Sequence, residues 1–307
     1  MRYHTNVRAQ WFLIMAITGA LLAAPGCTKQ EFPGRVDPPA LARGLIEHNR
    51  SAMLGFPIPT TDREWASVRL KFLPGGIMLW WCPEGKPNHE MGPYLFHADG
   101  RFITVASYCE VADVTGDGAT DFIVIEHRPD RHGYWYSVYP LGGNLEPFRG
   151  FAEALYDYVG FTEPLRLTDF NRDGIPEIVV TLPTESLAGK GWVDEGAWEA
   201  WEARRQVMGE GKPTLATAVW SFKQGTARPI LIFAGGYASR ILPNDGFVIA
   251  REPFGKSPGI PVRPLSVEGP SWFEVLLDQE TGLFVIPEEH RKEGPFFLLN
   301  RQIVNME

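Results

Sequence analysis

DFNRDGIPEIVV at residues 169–180 and DVTGDGATDFIV at residues 113–124 share one pattern, and this pattern decides the predicted fold. Both stretches follow D-x-[NT]-x-D-G-x-x-[DE] and then enter a run of β-branched and other apolar residues. An Asp-Gly pair is typical of a tight turn, and runs of Phe, Ile and Val are typical of strands. Each stretch therefore predicts an acidic turn that leads directly into a strand.

The oxygen-bearing residues of both turns stand at the spacing of a calcium-binding loop. Calcium takes about six to eight oxygen ligands, which a tight loop supplies from alternate positions. Positions 1, 3, 5 and 9 would provide side-chain oxygens, and position 7 would provide a backbone carbonyl. The predicted ligands of two structural Ca²⁺ ions are Asp113, Thr115, Asp117, Ala119 and Asp121 in the first loop and Asp169, Asn171, Asp173, Ile175 and Glu177 in the second.

The turns have two other possible interpretations, an EF-hand and a turn without an ion. An EF-hand needs a bidentate glutamate at position 12, where these loops have Val124 and Val180. An EF-hand loop also leads into a helix, whereas the residues that follow here are strand formers. The remaining alternative is a solvated Asp-Gly turn that binds no ion.

The order of loop and strand resembles the FG-GAP or VCBS repeat, which is found in integrin-like β-propellers and in many exported bacterial proteins. The second loop meets the family pattern D-x-N-x-D-G-x-x-D closely, and the first departs from it at Thr115. The 56 residues between the loops (169 − 113) suit the blade length of that family. The resemblance implies a mainly β protein with a β-propeller-like domain of about four to five blades, closed or open, and calcium in loops between strands.

Hairpin patterns recur along the rest of the chain, near residues 94, 136, 219 and 272. A stretch at 243–249 (PNDGFVI) keeps the Asp-Gly pair and the strand, and is interpreted as a decayed third loop. Helices are predicted over 39–53 and 192–208, and the second of them is a helical insertion in the β pattern. Its tryptophans either dock a partner or pack against the adjoining sheet.

The first 26 residues are typical of an export signal. Two arginines precede WFLIMAITGALLAA (11–24), whose 14 residues fall short of the about 20 that span a bilayer. APGC (24–27) resembles the bacterial lipoprotein box, which implies a lipid on Cys27; simple cleavage at the same place is the alternative. Residues 27–50 are then a tether and a short helix, and residues 51–307 are the β-propeller-like domain. In an oxidising compartment, Cys82 and Cys109 form a disulfide or remain two buried thiols.

Charge and missing motifs limit the function. A net charge of −8 and a pI near 5.5 argue against a nucleic-acid partner. The chain has no GxSxG, HExxH or GxxxxGK[ST] motif. The leading expectation is a non-enzymatic binding or adhesion module for a protein or glycan, at the cell surface or in the periplasm. It would meet the membrane, expected to be the outer membrane, only through its lipid anchor. The alternatives are a propeller-type enzyme acting on polysaccharide and a purely structural envelope lipoprotein.

Overall fold

The structure, a computed structural model, describes residues 37–86, 89–127, 133–142, 145–154, 165–188, 191–208, 215–242, 246–251, 272–288 and 296–303. These residues are mainly β, which confirms the predicted fold class at that level. The predicted export signal (1–26), Cys27 and positions 243–245 of the proposed third loop lie outside them. No helix in the described ranges has both the length and the apolar character needed to cross a bilayer.

The described residues form sixteen strands and three α-helices. The strands are β1 Arg69–Leu73, β2 Gly76–Trp81, β3 Met91–His97, β4 Phe102–Ala112, β5 Asp121–His127, β6 Tyr134–Pro140, β7 Phe148–Ala154, β8 Leu165–Thr168, β9 Glu177–Pro183, β10 Leu215–Ser221, β11 Arg228–Ala234, β12 Gly236–Leu242, β13 Gly246–Arg251, β14 Trp272–Asp278, β15 Leu283–Val285 and β16 Phe296–Asn300. The α-helices are α1 Pro38–His48, α2 Asp62–Ala66 and α3 Glu195–Met208. Short 3₁₀ helices cover Thr184–Leu187 and Lys223–Gly225.

The strands form four antiparallel meanders. Strands β1 to β7 make one sheet in consecutive order, but β4 changes partner within its length. Its residues up to Val105 pair with β3, and those from Ala106 onward pair with β5. This sheet therefore contains a first meander (69–105) and a second meander (106–154). The third meander (165–234) holds β8 to β11, with β16 added beside β11, and the fourth meander (236–285) holds β12 to β15.

The meanders stack face to face in chain order. Because successive side chains of a strand point to opposite faces, Phe122 packs with the first meander and Ile123 packs with the third. Val179 belongs to the next hydrophobic core, which lies between the third and fourth meanders. The remaining face of the first meander is covered by α1, through Leu45 among others. No core cluster among the described residues joins the fourth meander to the first, so a closed ring stays a prediction.

The predicted hairpins and helices are confirmed where the structure describes them. The hairpins near residues 94, 136, 219 and 272 are β3–β4, β6–β7, β10–β11 and β14–β15. The two predicted helices are α1, which ends at His48 rather than at residue 53, and α3, which begins at Glu195 rather than at residue 192. Trp201 of α3 is only 2% exposed, and the ring of Trp192 lies 5.0 Å from that of Trp220. These tryptophans therefore pack against the adjoining sheets, which was one of the two roles expected for them from the sequence.

The two cysteines of the β region are free thiols in the structure, so the disulfide alternative is not the one adopted. Cys82 directly follows β2, whereas Cys109 lies in the part of β4 that pairs with β5. Burial, with the negative charge of Glu110, raises the pKa of the Cys109 thiol to about 12, which keeps it protonated and unreactive.

Candidate metal centre

The two acidic loops occupy the same position in successive meanders. The first loop (113–121) joins β4 to β5, and the second loop (169–177) joins β8 to β9. Each loop thus connects the first strand of a meander to its second strand, and the predicted order of loop and strand is confirmed. Because the second and third meanders stack on one another, the two loops lie at the same edge of the stack.

The carboxylates of the first loop accept hydrogen bonds from the loop's own backbone. Asp113 accepts from Gly116 N at 2.7 Å and from Gly118 N at 2.8 Å. Asp117 Oδ1 accepts from Ala119 N at 2.8 Å. Gly116 and Gly118 have φ angles of 74° and 82°, in the left-handed region that glycine adopts without strain. The aspartates of the pattern and its glycine, Gly118, therefore stabilise the turn itself, whereas at the position of Gly116 the second loop has Arg172, also with positive φ.

Asp121 ends the first loop and is completely buried. Its Oδ2 accepts hydrogen bonds from Val114 N, Thr115 N and Thr115 Oγ1, at 2.9, 3.0 and 3.1 Å. Its Oδ1 is buried and has no hydrogen-bond partner among the described residues. Burial, with the charge of Asp117 adding to it, raises the pKa of Asp121 to about 6. A buried carboxylate with an unpaired oxygen is unfavourable, and a cation beside it would remove that cost.

The second loop repeats this arrangement. Asp169 accepts from Asp173 N at 3.1 Å and from Gly174 N at 2.8 Å. Glu177, which is 4% exposed, accepts from Phe170 N at 3.0 Å. Burial, reinforced by the charges of Asp173 and Asp169, raises the pKa of Glu177 to about 7. Both loops thus end on a buried acid whose charged form is unfavourable without a cation.

Asp173 differs from its counterpart in the first loop because a lysine binds it. Its Oδ1 accepts from Ile175 N at 2.8 Å, and its Oδ2 accepts from Asn171 Nδ2 and from Lys223 Nζ, each at 2.9 Å. Partial burial acts to raise the pKa of Asp173, but the hydrogen bond from Lys223 and the others outweigh it and hold that pKa below its usual value. Lys223 belongs to no motif of the sequence and lies 50 residues further along the chain.

The two loops are in contact with each other. A Cβ atom added to Gly116 of the first loop would overlap Cδ1 of Ile175 in the second. The 3₁₀ turn at 223–225, between β10 and β11, touches both loops: Gln224 N donates to Thr115 O at 3.1 Å, and Lys223 binds Asp173. The structure therefore unites two predicted sites, together with this turn, into one region.

Within either loop the carboxylates point towards backbone N–H groups. Among the residues that the structure describes, no three His, Cys, Asp or Glu side chains lie close enough together to hold a metal ion. Asp113 and Asp117 are engaged with N–H groups of their own turn. The ten predicted ligands are therefore brought to one edge of the stack, and their assignment to calcium stays a prediction.

Another buried acid, Glu126, lies outside the loops and belongs to no motif of the sequence. Glu126 of β5 is 4% exposed and accepts hydrogen bonds from the hydroxyls of Thr104 at 2.5 Å and Ser137 at 2.7 Å. Tyr139 OH lies 2.9 Å from both of its carboxylate oxygens. The residues of this cluster come from three strands, so no local sequence motif predicts it. Its hydroxyls satisfy a buried carboxylate that has no positively charged partner among them.

Comparisons of the chain with models of protein families, with curated proteins and with solved structures find no match. The resemblance to the FG-GAP or VCBS repeat therefore rests on the residues of the two loops. The place of the loops, between the first and second strands of adjoining meanders, agrees with a repeated unit. Membership of that family stays a prediction.

Replacing Gly116 by alanine is expected to destabilise the protein more than replacing Gly118. Both glycines have positive φ, so each alanine carries a similar backbone strain of about 1 kcal/mol. At Gly116 the new methyl group also overlaps Ile175, whereas at Gly118 no atom lies within 4 Å. We expect Gly116→Ala to be the less stable variant by about 1 kcal/mol, measured by thermal unfolding in EGTA. Equal melting temperatures would contradict the contact between the loops.

Proposed function

We propose that this chain is a calcium-stabilised β-repeat protein in which the two acidic loops hold structural Ca²⁺. The observation that carries the proposal is Asp121 Oδ1, a fully buried carboxylate oxygen with no hydrogen-bond partner among the described residues. Burying an ionised carboxylate is costly unless it is paired with positive charge or bound to a metal. Asp113 and Asp117, in the same short loop, add further negative charge.

The residues of both loops fit a calcium ion chemically. Calcium prefers carboxylate, carbonyl and hydroxyl oxygens, and the ten predicted ligands offer only these. When bound, Ca²⁺ would supply the positive charge that offsets the repulsion between the carboxylates. Asp113, Asp117 and Asp121 would hold it in the first loop, and Asp169, Asp173 and Glu177 are their counterparts in the second. The chain itself would gain a rigid connection between the first two strands of a meander.

The four meanders are proposed to be blades of a propeller-like repeat, closed or open. Two observations support this interpretation. The acidic loops occupy equivalent positions in the second and third meanders, and the decayed loop around 243–246 falls at the equivalent connection of the fourth, between β12 and β13. Four meanders also agree with the four to five blades expected from the length of the chain.

The proposed biological role is that of an exported binding or adhesion module for a protein or glycan. Calcium-stabilised repeats suit this role because they present rigid connections outside the cytoplasm, where calcium is abundant. The export signal over 1–26 and the lipid on Cys27 are part of the same proposal, and they would attach the protein to the cell envelope. Their support is the order of basic, apolar and small residues in the sequence.

A melting experiment tests the calcium sites directly. The full chain is unfolded thermally in EGTA, in millimolar calcium and in millimolar magnesium. At a calcium concentration about 100-fold above Kd, each site adds about 2.7 kcal/mol to the free energy of unfolding, or roughly 5–10 °C for a chain of this size. We expect a rise of at least that size with calcium and a much smaller one with magnesium. Identical melting temperatures in calcium and EGTA would refute the proposal.

A further inference from the structure

The second loop already contains a positive charge from the protein itself. Lys223 Nζ lies 2.9 Å from Asp173 Oδ2, and the two side chains are only 15% and 17% exposed. An ion pair with this little exposure is screened less by water and salt than one at the surface. The ammonium therefore holds the aspartate at position 5 of the second loop, which is one of its predicted calcium ligands.

The turn that carries Lys223 is fixed in place. Gln224 donates its N–H to Thr115 O at 3.1 Å, and the turn closes with Gly225 N donating to Phe222 O, also at 3.1 Å. The backbone from which the Lys223 side chain extends is consequently held beside the second loop.

Among the residues that the structure describes, no cation pairs with an acid of the first loop. Its aspartate at position 5, Asp117, accepts a hydrogen bond from Ala119 N, and no cationic side chain among the described residues pairs with it. Asp121 of this loop keeps an unpaired oxygen, whereas both oxygens of Asp173 are engaged, one of them by the ammonium. The two loops therefore share a sequence pattern but differ in how their negative charge is compensated.

We propose that Lys223 is an internal counter-cation that competes with Ca²⁺ for Asp173, so that the second loop binds calcium more weakly than the first. The inference rests on the proposed calcium function and adds an order of filling to it. The first loop fills at low calcium. Ca²⁺ enters the second loop only at higher calcium, because the ammonium of Lys223 must first leave Asp173.

Three variants of the full chain, Lys223→Met, Lys223→Arg and Asp121→Asn, test this order by calorimetric titration with calcium chloride. The methionine removes the charge but keeps an unbranched side chain, and the arginine keeps the charge. The wild type should show two sites of unequal affinity, and Asp121→Asn should leave only the weaker one. Lys223→Met should tighten the weaker site about tenfold or more, because a positive charge a few ångströms from the ion is removed. Lys223→Arg should leave it weak.

Melting curves give a readout that does not depend on the titration. In EGTA, Lys223→Met should melt below the wild type, because Asp173 and its neighbouring acids lose their counter-cation. In saturating calcium the difference should vanish or reverse. Lys223→Arg should follow the wild type in both conditions.

The outcomes separate this inference from the proposed function. If the wild type binds two calcium ions and Lys223→Met leaves both affinities unchanged, the role of Lys223 is overturned and the calcium function stands. If Asp121→Asn retains the tighter site, the order of filling is overturned, since the stronger site is then not the first loop. If neither the wild type nor Lys223→Met binds calcium, the proposed function fails and the inference fails with it.

Discussion

Replacing Asp121 by asparagine is expected to abolish calcium binding at the first loop without destabilising the calcium-free protein. The asparagine oxygen can still accept the hydrogen bonds from Val114 N and Thr115 N that Asp121 Oδ2 accepts now. Its amide replaces the unpaired, buried Oδ1, and its neutrality removes a charge that burial disfavours. In EGTA this variant should melt at or above the wild-type temperature. Calcium should raise the melting temperature of the variant by markedly less than it raises that of the wild type.

Asp121→Ala is the matched control, because it removes the acceptor as well as the charge. It leaves two buried backbone N–H groups and the Thr115 hydroxyl without their partner. At about 1–3 kcal/mol for each unsatisfied buried group, we expect a loss of about 3 kcal/mol even in EGTA. The first site is absent in both variants. If Asp121→Asn bound as many calcium ions as the wild type, Asp121 would not be a ligand.

Replacing Glu126 by alanine is expected to destabilise the protein strongly, with or without calcium. The carboxylate accepts hydrogen bonds from three hydroxyl groups, those of Thr104, Ser137 and Tyr139. Removing it leaves these hydroxyls buried without their acceptor and opens a cavity. We expect a loss of about 3–4 kcal/mol, or roughly 6–15 °C in the melting temperature.

Glu126→Gln separates the contribution of hydrogen bonding from that of side-chain volume. The glutamine fills the same space and keeps one acceptor oxygen, so about 1–2 kcal/mol should be lost. Calcium should raise the melting temperature of both variants by as much as that of the wild type, because Glu126 lies at the end of β5 that is remote from the first loop. A melting temperature of Glu126→Ala equal to that of the wild type would contradict the buried network.

The features that could be predicted from the sequence are those that depend on residues close together in the chain. The Asp and Gly spacing of each loop, with the Phe-Ile-Val or Ile-Val-Val run after it, correctly predicted a turn followed by a strand. The helix predicted over 192–208 begins at Glu195, because Asp194 accepts a hydrogen bond from Ala197 N at 2.9 Å and caps the first turn. Register, amphipathic spacing and capping act over a few residues, so short patterns are sufficient to predict them.

Short sequence patterns did not predict two features of the structure: the free state of the two cysteines and the contact between the two acidic loops. The sequence allowed Cys82 and Cys109 to form a disulfide, but the structure leaves both as free thiols. The two loops were predicted as separate sites, whereas the stacked meanders bring Gly116 against Ile175. In each case the outcome depends on which strands lie next to each other, and no short stretch of sequence contains that information.

Local patterns were thus sufficient for the acidic loops, their strands, the hairpins and the inserted helix. The contact between the loops, the lysine that compensates one of them and the hydroxyls around Glu126 emerge only when the meanders stack. The two groups of features differ because the first depends on local contacts and the second on long-range contacts. A loop is closed by its own backbone N–H groups, but the partner of a buried charge comes from whichever strand or turn the packing of the core places beside it.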